Sequence, residues 1–257
     1  MSSDPGAGEF DPDPTATARW GVHLVMLDRP GYGATPPHED DEPHTVQHRA
    51  DDLAEFLDLS ERTARTAGHT DYGSVGVIGW GTGGMVALSL AARYPDLVDK
   101  VAVVNTASPS AAALRSITPP PFTRWSLGVT PDDPALVKMG LDNRLDRMLT
   151  EAGLQGSAGV DCDRRMLSDS EWTKDLGNIQ ADVKLIYGDG DTTVTLGDGK
   201  WYRRRIPRAR TVRVPQGGAL TIASHWTRIL AHVAPRHGGL SAAERLGTHA
   251  VSTSVRL

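Results

Sequence analysis

The stretch SVGVIGWGTGGMVALSLAARYPDLVDKVAVVNT, Ser74 to Thr106, limits what this chain can fold into more than any other segment. It opens on an apolar run, turns on glycines, continues through Met85, Val86, Leu88 and Leu90, and ends on a second apolar run, KVAVVNT. Pro95 closes the middle part, because a proline disfavours helical geometry in the residue before it. The pattern predicts strand, tight turn, helix over 83–94, and strand. Strands that are apolar throughout need cover on both faces, which is the condition of a parallel sheet between helix layers. Ser74–Ala92 is uncharged and contains Gly79-x-x-x-Gly83, so it also has the length of a membrane span. The change from strand to helix period favours a buried α/β unit instead, and no membrane is expected.

The rest of the 257 residues repeats the alternation. GVHLVMLD, Gly21–Asp28, reads as a buried parallel strand, followed by the turn-rich loop RPGYGATPPHEDDEP. Val46, Ala50, Leu53, Ala54 and Leu57 recur at helical spacing and predict a helix over about Thr45–Ala67, stopped by Gly68. Further on, DVKLIYG and RTVRVP read as strands, GDGKWYRRRIP and SHWTRILAHV as helices. The section of about 108–176 breaks the rhythm with Pro119–Pro121 and amphipathic stretches near 134–152 and 161–170, and is expected to be a helical cap. The expected architecture is α/β: a three-layer, doubly wound, mostly parallel sheet of about five strands with a cap insertion. Residues 1–19 are expected to be disordered, 20–235 to form the domain, and 236–257 to be a fraying tail.

Composition narrows the function. A net charge of −5 argues against a nucleic-acid surface, and the basic run at Arg203–Arg205 with Arg208 and Arg210 fits a solvated helix face. The single cysteine, Cys162, permits no internal disulfide, and the N-terminus has neither a basic start nor an apolar core. A cytoplasmic protein without a secretory signal is the expectation. An uncovered sheet edge at GVHLVML would invite a partner strand, but oligomeric state is not readable.

The glycine turn admits two readings. Gly79, Gly81 and Gly84 fit G-x-G-x-x-G, which can cradle a pyrophosphate at a helix N-terminus. That motif wants an acid at the far end of the following strand. Asp99 has the right separation but precedes VAVVNT, at the wrong end. The same residues also fit the nucleophile elbow G-x-S-x-G, with Gly81 where the serine would be.

Four blocks in order decide between them. LDRPGYGAT resembles the D-x-x-G-x-G-x-S loop after the fourth strand of the α/β-hydrolase superfamily. GWGTGGMVALSLAARYPDLVDKVAVVNTASP is similar to its elbow, helix and sixth strand. VKLIYGDGDTTV resembles its seventh strand and acid loop, and WYRRRIPRARTVRVPQGGALTIASHWTRILAHV its closing segment. The resemblance covers about 20–235 and implies Asp191 as triad acid, Gly81 in the nucleophile slot, Ala219 in the histidine slot, and the amide of Thr82 as one oxyanion donor. The second donor comes, in that family, from the loop after the third strand. No segment before Gly21 resembles strands one to three.

Acyl transfer needs a nucleophile on the elbow, an imidazole to take its proton, and an acid to orient the imidazole. Gly81 has nothing to attack with and Ala219 nothing to carry a proton, so serine-hydrolase activity is expected to be lost or severely impaired. Two alternatives stand beside this. One is an enzyme of the superfamily with a displaced site or cofactor-free lyase or cyclase chemistry; the other is nucleotide binding at Gly79–Gly84. Candidate substitutes are each outweighed. The side chain of Thr82 should point away along the helix start. His225 reads as a surface or helix-packing residue, Asp189 as a solvated loop acid or a cap on the turn, and Cys162 as a free packed or surface thiol. His44 and His48 would share one helix face near His38 and the acidic run Glu39–Glu42, a metal-pair spacing, but no H-E-x-x-H is present. No metal and no cofactor is expected. Trp80, Trp125 and Trp172 are candidates to line an apolar pocket between sheet and cap, holding a small apolar molecule, with core packing the expected role of at least one of them.

Overall fold

In the computed structural model, which describes residues 10–39, 42–68, 73–109 and 119–234, four of the apolar runs pair side by side. They are β1 (Val75–Trp80), β2 (Val98–Val104), β3 (Asp182–Gly188) and β4 (Ala209–Val214), all parallel and in the spatial order of the chain. One register row runs Val77, Val101, Val183, Ala209. Alternate residues of β2 point to opposite faces, as the strand period of two requires. Val101 and Val103 enter one apolar cluster with α2 (Val46–Thr66) and α3 (Gly83–Arg93), whereas Ala102 and Val104 enter another with α9 (Trp226–Val233). Both layers are therefore covered, which gives the three-layer sandwich.

Local chemistry places the element ends. The hydroxyl of Thr45 accepts from the His48 amide at 3.1 Å and caps α2, and Gly68, at φ +79°, follows its last turn. Thr195 and Asp198 form a reciprocal capping box on α7 (Leu196–Arg203). The interval 108–176 carries α4 (Pro134–Met139), α5 (Asp142–Ala152) and α6 (Ala158–Leu167), and 110–118 lies outside the described residues. Leu136, Leu141, Leu145 and Leu149 are buried against the α9 layer, and Met166 and Trp172 against the α2–α3 layer. This insertion is thus packed into the body of the domain. The tail 236–257 lies outside the described residues.

Two expectations are corrected. Gly21–Asp28 is not a strand, and the sheet has four strands among the described residues, not five. Val22 and Leu24 pack against the core, but Val25 and Leu27 are 52% and 43% exposed. An apolar run signals burial without saying that the backbone finds a ladder partner, and here only one side is covered. The edge expected at GVHLVML lies instead at β1, the outermost strand of the described sheet on that side. The second correction concerns 1–19. Residues 1–9 lie outside the described residues, but Pro14–Arg19 forms a helix, α1. The Asp13 carboxylate caps it by accepting from Ala16 N at 2.9 Å, and Pro14 sits in its first turn, where a missing N–H costs nothing. The hydroxyl of Thr17 accepts from the Trp226 indole at 2.9 Å and so docks α1 on α9. No helix among the described residues is long and apolar enough to cross a membrane.

Candidate active site

The turn from β1 into α3 sits at the carboxyl end of the sheet, where open α/β sheets bind their ligands. Gly81 forms its apex at φ +56°, the left-handed region. Its amide donates to Val104 O at 3.0 Å, and its carbonyl accepts from Gly84 N at 3.1 Å, which starts the helix. A Cβ built on Gly81 would meet nothing within 4 Å, so the apex has room for a side chain and disfavours one only through its backbone. The neighbouring glycines are required for contact. A Cβ on Gly79 would lie 2.4 Å from Gly84 Cα, and one on Gly84 would lie 2.0 Å from Thr106 Oγ1. Close packing of strand, helix and β2 accounts for both without any phosphate. Asp99 lies near the start of β2, bonded by the Ser74 hydroxyl, at the end of the sheet away from this turn.

Hydrogen bonds from one dipeptide reach Gly81, Asp191 and the residue before Ala219. Asn105, buried and at φ +43°, follows the last residue of β2. Its Nδ2 donates to Asp191 Oδ2 at 3.0 Å and to Gly218 O at 2.9 Å, and its Oδ1 accepts from Gly188 N at 3.1 Å. Thr106, next in sequence, donates from Oγ1 to Gly81 O at 2.8 Å. The Asp191 loop, the loop before Ala219 and the Gly81 turn are therefore tied together through Asn105–Thr106. Asp191 Oδ1 accepts in addition from the amides of Thr193 and Val194, both at 2.9 Å, which fixes the carboxylate. Gly190 N donates to Gly217 O at 2.9 Å, and a Cβ on Gly188 would lie 2.0 Å from that same oxygen. Ala219 is half-buried beside this contact and packs on the α9 layer.

Other candidates fall elsewhere. Thr82 adopts helical φ/ψ at the head of α3, and its side chain makes no capping bond. Asp189 is held by Arg213 and by the amide of Gln216, and the Arg213 hydrogen bond above all keeps its carboxyl below the usual range. His225 precedes α9, where burial first and Arg228 second push its imidazole down. Cys162 is buried on α6. Of the three tryptophans, Trp80 is half-buried beside the apex with Phe10 stacked on it, ring centroids 5.9 Å apart. The other two lie apart from it, one on the surface and one in the core. Trp125 is 82% exposed, and Trp172 is 1% exposed in the α2–α3 core, 6.4 Å from the Tyr202 ring. Spacing alone could not separate a wall from a core. A cleft of about 550 Å³ opens elsewhere, between the 27–39 loop and α2, lined by Leu27, Arg29, Pro36, Leu53, Phe56 and Val86 among others. No motif marks Asn105 and Thr106 in the sequence, although a polar pair closing the otherwise apolar run KVAVVNT is a signal of a loop with work to do.

A comparison with protein families matches residues 9–137 to the family described as alpha/beta hydrolase fold. The chain is 29% identical over 232 residues to a pimeloyl-[acyl-carrier protein] methyl ester esterase of Chromobacterium violaceum, covering 80% of each chain. It is 26% identical over 174 residues to the protein of the same description from Aromatoleum aromaticum, covering 58% of this chain and 68% of that one. Among solved structures, an alpha/beta hydrolase fold protein from Nakamurella multipartita superposes with a TM-score of 0.58 at 18% identity, over 88% of this chain and 89% of that one.

Proposed function

Because the chain belongs to the alpha/beta hydrolase fold family, we propose that it is a member whose serine-hydrolase chemistry is lost or severely impaired while the frame of the site is kept. The observation that carries this reading is the pair Gly81 and Ala219. Gly81 occupies an elbow with space for a side chain, and Ala219 lies next to Gly218, which Asn105 links to Asp191. Attack on an acyl carbon requires a new oxygen–carbon bond and a base to take the released proton. A hydrogen atom and a methyl group supply neither. What remains is the Asp191 carboxylate, held by three hydrogen bonds, and the amide of Thr82 as an oxyanion donor. With nucleophile and base both missing, the expected rate is roughly 10⁶-fold below that of a complete triad. The chain's remaining role in this reading is to bind a small apolar molecule, and the cleft above α2 has a volume in the usual range for one, about 300–1,000 Å³.

The names of its relatives favour a second reading, hydrolysis of a carboxylic ester at a displaced site. One experiment separates the two. The purified chain is incubated with p-nitrophenyl acetate and butyrate beside its Asp191→Asn variant and a buffer blank. Rates indistinguishable from the blank support the first reading. Turnover that survives Asp191→Asn overturns it and points to a displaced site. The double variant Gly81→Ser with Ala219→His is expected to gain esterase activity that Asp191→Asn then removes.

A further inference from the structure

His38, in the loop before α2, and His48 and Asp52, on α2, converge at one rim of the cleft. His38 Nε2 lies 3.5 Å from Asp52 Oδ2, and His48 Nε2 lies 3.8 Å from Asp52 Oδ1. One ligand atom from each of the three residues falls within 4.8 Å of the others. A tetrahedral ion with bonds of about 2.0–2.1 Å holds its ligands about 3.3 Å apart, so the ligand atoms need to close by tenths of an ångström to at most about 1.5 Å. The His38 side chain is 11% exposed, and its Nε2 is buried without a hydrogen-bond partner. A buried imidazole nitrogen left this way costs free energy unless something else satisfies it.

The surroundings match what a metal site needs. The other nitrogen of His38, Nδ1, is engaged by Glu42. A carboxylate there fixes the imidazole's orientation, as outer carboxylates do for zinc-bound histidines. Asp52 Oδ2 is also held by Arg49 Nη1 at 3.3 Å, which orients the carboxylate. The guanidinium opposes a nearby cation, and the carboxylates of Asp52 and Glu42 offset that charge. His48 and Asp52 are one helical turn apart, so α2 presents both on one face. His44, the partner suggested by spacing, is not part of the set, and its Nε2 meets Arg165 Nη1 at 3.2 Å instead.

We propose that His38, His48 and Asp52 form a site for one divalent zinc-class ion. Two imidazoles and a carboxylate suit zinc, and they suit calcium or magnesium poorly, since those ions take oxygen ligands. His38, Glu42 and Asp52 all line the cleft, so a fourth coordination position would open into it and take water or a ligand donor atom.

The test is isothermal titration of the chelator-treated full chain with zinc chloride, repeated with cobalt(II) to record visible absorption. One equivalent of zinc should bind, and cobalt should show the intense bands of a four-coordinate site. His48→Gln, at a side chain 29% exposed, should weaken zinc binding by more than the ~10–100-fold an outer partner is worth, and Glu42→Gln by about that amount. Cys162→Ser should leave affinity and spectrum unchanged. Circular dichroism of each variant shows that the fold persists. Absence of stoichiometric binding, unchanged binding in His48→Gln, or loss of binding in Cys162→Ser overturns the proposal.

Discussion

Asn105→Ala is the most searching perturbation of the site frame. The substitution removes three hydrogen bonds, to Asp191, Gly218 and Gly188, at 3.0, 2.9 and 3.1 Å. Each is worth about 0.5–1.5 kcal/mol net, and the buried Gly188 amide is left without its acceptor, which costs more than a bond exchanged for water. The alanine must also hold φ near +43°, at a further cost of about 1 kcal/mol. Together these predict a loss of about 3–5 kcal/mol. Asn105→Gly loses the same bonds without the backbone penalty and should be about 1 kcal/mol more stable than the alanine variant. Urea unfolding of the three proteins, followed by tryptophan fluorescence, reads both differences from their midpoints. If alanine falls within about 0.5 kcal/mol of the parent, or glycine is no better than alanine, the hub reasoning is wrong.

Three further outcomes follow from the packing and the charges. Gly84→Ala should destabilise by several kcal/mol, since its Cβ would meet Thr106 Oγ1 at 2.0 Å, while Gly83→Ala, with nothing within 4 Å, should be neutral to slightly stabilising in chemical denaturation. Trp172→Ala should cost about 3–5 kcal/mol and Trp125→Ala close to nothing, measured by thermal melts, because one is core and the other 82% exposed. Asp198 is penalised first by burial, but hydrogen bonds from the Ser108 and Thr195 amides and hydroxyls outweigh that and hold its carboxyl below the usual carboxylate range. A folded-state value below the unfolded one stabilises fully above the unfolded value, about 3.9, and the contribution disappears as pH falls through the folded value. Asp198→Asn should therefore flatten the loss of stability below about pH 4, read as the melting temperature against pH.

How much was legible depended on whether the signal was local. Asp182–Gly188 was readable as a strand because its apolar run, its flanking turn residues and its ladder partners agree. The α2 helix was readable from spacing plus Thr45 and Gly68. Gly21–Asp28 carried the same apolar signal, yet pairing depends on a neighbouring strand that the run itself cannot specify. Helix α1 had its signals in Asp13 and Pro14, but acidic and proline-rich surroundings outweighed them in the composition. At the site, motif order points to Gly81, Asp191 and Ala219 as positions to inspect. It does not point to Asn105 and Thr106, whose bonds exist only once three loops meet.

The stack of Phe10 on Trp80 has a consequence for anything that would approach the elbow from that side. Phe10 is 6% exposed, and the carbonyls of the next two residues, Asp11 and Pro12, accept from Arg144 at 2.8 and 3.2 Å, so the chain itself supplies a tethered competitor for the indole face. A ligand seeking that face meets its intrinsic affinity only during the fraction of time the phenyl ring is away, and binds more weakly in proportion.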